Sequence, residues 1–67
     1  MKKVFNTKES IIMIVNEDYE YTYFKDSMKI KVRYLPTGEA TAFDMDELQE
    51  FLTIVREEIR KELLQSC

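Results

Sequence analysis

The sequence predicts an α+β domain, a four-stranded antiparallel meander followed by one long C-terminal amphipathic helix packed on one face. Three observations predict it. Residues 19–24 and 28–34 each alternate apolar and polar side chains with period two around Asp26-Ser27. Asp44 and Glu47 stand at the spacing of a helix-capping box. From there Leu48, Phe51, Leu52, Val55, Ile59 and Leu63 recur at helical steps and make one apolar stripe.

All 67 residues fall into one domain, since no repeat, linker or low-complexity stretch divides them. Residues 1–10 are polar apart from Val4-Phe5 and read as an arm or an edge strand. The sheet occupies residues 11–43. Ile11-Ile12-Met13-Ile14-Val15 is β-rich, and Asn16-Glu17-Asp18 turns the chain. If Asp26-Ser27 closes a hairpin, Tyr19, Tyr21 and Tyr23 lie opposite Tyr34, Val32 and Ile30, all on one side. Glu20, Thr22 and Phe24 then meet Arg33, Lys31 and Lys29 on the other. Slipping the register by one residue would mix tyrosines with lysines, so this pairing is strongly preferred. Leu35-Pro36-Thr37-Gly38-Glu39 suits a type I turn with Gly38 left-handed. Continuing the count through a Pro36–Gly38 turn places Ala40 and Ala42 on the tyrosine side, with residues 40–43 as the fourth strand. The helix spans residues 44–65, with Phe43 and Leu48 spaced as a hydrophobic staple.

The composition is ordinary for a folded domain: 45% hydrophobic and 34% charged, with 10 Lys+Arg against 13 Asp+Glu and a net charge of −3. A chain this short usually needs a disulfide, a metal or a partner subunit to hold its core. Lone Cys67 cannot form an internal bridge, and a chain without His has no zinc-ligand set. Oligomerisation, or very good packing, remains. Either Ile12 and Ile14 or Ile11, Met13 and Val15 of the two-sided apolar strand point away from the helix, depending on the Asn16–Asp18 turn. A homodimer or higher oligomer is expected, with Ile11, Met13 and Val15 and the helix-tail residues Leu63 and Leu64 as its interface. The longest apolar run is far below the ~20 residues of a membrane span. Met1-Lys2-Lys3 leads into no apolar stretch, so neither a membrane anchor nor a signal peptide is expected, and a cytoplasmic location follows.

No catalytic set emerges, because Ser, Cys and Lys nucleophiles need an activating base and none is placed beside them. Asp44 and Glu47 are better explained as caps than as an acid–base pair. Asn16-Glu17-Asp18 and Asp44-Met45-Asp46-Glu47 lack the calcium-loop pattern, and the chain's single glycine cannot build a phosphate loop. Neither a metal nor a cofactor is expected. What remains is binding. One candidate surface is an acidic helix flank, Glu47, Glu50, Glu58 and Glu62 around an exposed Ile54, facing a basic groove on another protein. The other is the outer sheet face. There Lys29, Lys31 and Arg33 with Phe24 and Phe43 combine backbone-neutralising charge with stacking rings, as single-stranded nucleic acid or a nucleotide requires. The leading expectation is a small non-enzymatic, homo-oligomeric regulator or inhibitor of another protein, of the kind phages and mobile elements carry. The alternative is a single-strand or nucleotide binder.

Overall fold

The computed structural model describes residues 2–65. Cys67 therefore lies outside the described residues. Five strands, β1 (Lys2–Asn6), β2 (Ser10–Val15), β3 (Tyr19–Phe24), β4 (Lys29–Tyr34) and β5 (Glu39–Ala40), precede one helix, α1 (Met45–Gln65). The strands form one antiparallel meander in the order β1-β2-β3-β4-β5. The α+β architecture is the one the sequence predicts, with the N-terminal segment added as an edge strand.

The register of β3 on β4 follows from its alternation. Tyr19, Tyr21 and Tyr23 pair with Tyr34, Val32 and Ile30, while Glu20, Thr22 and Phe24 pair with Arg33, Lys31 and Lys29. β2 extends both sides of this pattern. Ile11, Met13 and Val15 fall opposite Tyr23, Tyr21 and Tyr19, on the face that α1 covers. Those three are 0–3% exposed, and with Tyr21, Val32, Phe51 and Val55 they form the core. The Tyr21 and Phe51 rings meet at 5.7 Å, tilted by 54°. Ile11, Met13 and Val15 are therefore not an oligomer surface. The register leaves Ile12 and Ile14 as the outward-facing, half-buried residues of β2.

Two turns share one geometry. In the β3–β4 loop the Met28 amide donates to the Phe24 carbonyl at 2.7 Å, and Met28 has φ 58°. In the β4–β5 loop the Gly38 amide donates to the Tyr34 carbonyl at 2.8 Å, and Gly38 has φ 75°. Each is a four-residue loop closed by a left-handed residue. The second differs from the expected count, because Leu35 belongs to the loop and not to β4. Glu39 thus pairs with Tyr34 and Ala40 with Arg33, which carries Ala40 to the outer face and not the tyrosine side. After Ala40 the chain leaves the ladder. A last contact, the Thr41 amide on the Val32 carbonyl at 3.1 Å, precedes a crossing to the helix, so residues 41–43 do not form the strand expected there.

Asp44 caps α1 as its position implies, its Oδ1 accepting from the amides of Asp46 at 3.0 Å and Glu47 at 3.3 Å. The reciprocal half of the capping box is replaced: the Asp44 amide donates to the Tyr21 hydroxyl at 3.3 Å. This ties the helix start to the core. The buried arc of α1 is centred on Phe51 and Val55, with Leu48, Ile54 and Ile59 packed at its margins. Leu52 and Leu63, expected in the stripe, are 40% and 65% exposed. β1 widens the sheet on one side and meets the acidic flank of the helix through Lys2 and Asn6. Ile54 is packed partly against the core, whereas Leu52 stays outside.

Met28 occupies, with a side chain 74% exposed, the backbone position that glycine holds in the sister loop. A left-handed non-glycine residue costs about 1–2 kcal/mol. Met28→Gly should raise the thermal midpoint by several degrees in circular dichroism. Gly38→Ala, where an added Cβ meets nothing within 4 Å, should lower it through torsion alone.

Candidate nucleic-acid interface

The outer sheet face is assembled from alternate residues of every strand. One row crosses all five strands as Lys3, Ile14, Glu20, Arg33 and Ala40. The next holds Phe5, Ile12, Thr22 and Lys31, and a third holds Ser10, Phe24 and Lys29. Strands about 4.8 Å apart give a face roughly 19 Å wide, and Lys29, Lys31 and Arg33 repeat along β4 at about 6.8 Å. Among the described residues paired in these rows, four cations stand against the one carboxylate of Glu20. Glu20 accepts from Arg33 Nη2 at 2.9 Å, and Arg33 Nε is sealed without a partner. Phe5 and Phe24 are 47% and 41% exposed. The face thus pairs positive charge with two open rings on a rigid sheet.

Four of the five residues expected on this face, Phe24, Lys29, Lys31 and Arg33, lie there together. Phe43 does not. It lies with Tyr19 and Tyr21 beside the helix start, because the chain crosses over after Ala40. Lys3 and Phe5 were missed in its place. Their signal was the alternation Lys3-Val4-Phe5, too short and too polar in its surroundings to declare a paired strand.

The acidic helix flank is engaged within the molecule. Lys2 Nζ bonds Glu50, Lys25 Nζ bonds Glu62 Oε1 at 2.5 Å, and Asn6 Nδ2 reaches Glu58 Oε2 at 3.5 Å. Lys25 also donates to Asn6 Oδ1 at 2.8 Å and to the Thr7 carbonyl at 2.7 Å, which pins the β1–β2 turn to the end of α1. Ile54 is not the exposed centre of this flank but a half-buried residue packed against the core. Leu63 and Leu64, at the helix end, are 65% and 69% exposed.

These contacts move ionisation in consistent directions. The Glu50 hydrogen bond raises Lys2 above its ordinary value. The Lys25 hydrogen bond holds Glu62 below the usual carboxylate range, helped by Asn6. Burial pushes the Tyr21 hydroxyl up, reinforced by the charges of Glu47 and Asp44 and opposed by the Asp44 amide. Among the described residues no group of three or more Cys, Asp or Glu is arranged to hold a metal, and no helix is long and apolar enough to cross a membrane.

Comparison with family models, with curated proteins and with solved structures returned no match.

Glu62 provides a pH test of the helix anchor. A carboxylate held below its unfolded pKa adds stability that is full above the ordinary carboxylate range and is lost as pH falls through the depressed folded value. Wild-type thermal midpoints should therefore drop between about pH 5 and pH 3. Glu62→Gln should start lower at neutral pH and fall less steeply over the same interval.

Proposed function

We propose that this chain is a non-catalytic binding protein that takes single-stranded nucleic acid on its outer sheet face. The observation that carries the reading is the gathering of Lys3, Lys29, Lys31 and Arg33 with the open rings of Phe5 and Phe24 on one side of the sheet. A single strand needs cations along its backbone and flat apolar surfaces for unstacked bases, and no donor–acceptor code is required for either. The charge is polarised. Residues 44–65 carry seven carboxylates against three cations, while the outer face has the opposite balance. A polyanion is thereby oriented to the sheet and repelled by the helix, although the chain as a whole is acidic. This reading sets the binder in a cytoplasmic location, and it uses no cofactor.

A second reading, a homo-oligomeric regulator or inhibitor that binds another protein, draws on a different observation. Met45, Leu52 and Leu63 are 63%, 40% and 65% exposed along one helix flank, with Leu64 at 69% beside its end. Self-association through this flank would cover them.

Two measurements test these readings. Fluorescence anisotropy with a labelled oligo-dT strand should show binding that weakens with salt. Lys31→Glu should abolish most of it, and Lys29→Ala should reduce the salt slope by about 0.7. Phe5→Ala and Phe24→Ala should each cost about 1–3 kcal/mol. No binding at low salt would reject the first reading. Sedimentation velocity addresses the second: a dimer converted to monomer by Leu63→Asp supports it, and a wild-type monomer at high concentration rejects it.

A further inference from the structure

On the opposite side of the sheet, two cavities of about 300 Å³ each adjoin one another. They share Tyr19 and Thr41 and form one groove from the β4–β5 turn to the start of α1. Its walls are aromatic and acidic: Tyr19, Tyr34 and Phe43 with Glu39, Asp44 and Glu47, and no Lys or Arg among the residues lining it. We infer that this groove binds a basic segment of a partner protein, taking its guanidinium or ammonium groups between the aromatic rings and Glu47.

The hydrogen-bond inventory is one reason. Glu47 lines the groove, and its Oε2 is covered and has no hydrogen-bond partner, although buried polar atoms are nearly always paired; a small turn of the side chain brings this oxygen to a donor in the groove. The partner it would have in a full capping box, the Asp44 amide, is spent on the Tyr21 hydroxyl. Asp44 Oδ1 is already occupied by two helix amides. The site is short of a donor, and guanidinium and ammonium groups bring only donors. The ring geometry is the other reason. Tyr19 and Phe43 are 37% and 44% exposed, and Tyr19 meets Tyr34 at 5.2 Å with a 48° tilt. Such open ring surfaces attract cations.

Two charges oppose or compete. The helix N-terminus carries about half a positive charge, which Asp44, Asp46 and Glu47 outweigh. Lys2 is close enough to feel Glu47 and Asp44, but it is bonded to Glu50. A segment with successive basic side chains is favoured over a small free amine because the groove has an acidic position on each side of the Tyr19 ring, Glu39 in one cavity and Glu47 in the other. This site is independent of the outer-face reading.

The test is an amide NMR titration of the full chain with acetylated, amidated tetra-arginine, with spermidine and a Gly-Ser peptide as parallel arms. The expected result is saturable binding of the arginine peptide, with shifts concentrated at Thr41, Ala42, Asp46 and Glu47. Glu47→Gln and Tyr19→Ala should each weaken it by about tenfold or more. Should Tyr19→Ala fail to fold, the isosteric Glu47→Gln decides. Shifts spread over Glu57, Glu58 and Glu62, or an affinity unaffected by Glu47→Gln, would overturn the site. Spermidine binding with the same shifts and equal or greater affinity would overturn the peptide as its occupant.

Discussion

Everything in this small fold depends on how β3 pairs with β4. In that pairing three tyrosines meet Tyr34, Val32 and Ile30 on one side, while Glu20, Thr22 and Phe24 meet the basic residues of β4 on the other. A slip of one residue would bury Lys29, Lys31 and Arg33 beneath the helix, at a desolvation cost no chain of this size can offset. With the register set, β2 and then β1 extend the same two faces. One becomes the seat of α1, and the other is left basic, ring-bearing and open.

The second organising contact is Tyr21. Its ring packs on Phe51 and its hydroxyl accepts the Asp44 amide, so one side chain both fills the core and fixes where the helix begins. Because the hydroxyl takes the place of Glu47 in the cap, Glu47 is left with an unpaired oxygen beside the Tyr19 groove. A packing choice in the core thereby leaves an unsatisfied oxygen on the helix side. The electrostatics follow the same division. The acidic flank of α1 is drawn to β1 by Lys2 and to the β1–β2 turn by Lys25, whereas among the described residues paired across the outer face Glu20 alone opposes the cations.

The elements read most accurately from the sequence are those whose signal is local. The hairpin of Tyr19–Tyr34 alternates strictly around a short turn, and Asp44 caps its own helix, so each needs information from only a few neighbours. The misplacements involve distant partners. Ile11, Met13 and Val15 were apolar on both sides of a strand, and nothing local says which side the helix takes. Ile54 and Leu52 lie on either side of the stripe, and the flank that carries Ile54 meets Lys2 and Asn6, about fifty residues away in sequence. For the outer face, Phe24, Lys29, Lys31 and Arg33 were legible because they share one hairpin. Lys3 and Phe5 were not, since their strand acquires its identity only by pairing with β2.

By itself, the sequence determined the α+β class, the β3–β4 register, the helix start and the basic row on β4, because period-two alternation and capping are short-range steric and hydrogen-bonding requirements. Only the tertiary structure decided which face of β2 is covered, that the N-terminal segment completes the sheet, that Ala40 ends it, and that the acidic flank is engaged by β1 and the β1–β2 turn. Those outcomes depend on which surfaces lie within reach of one another once the chain is folded, and sequence spacing alone does not carry that distance.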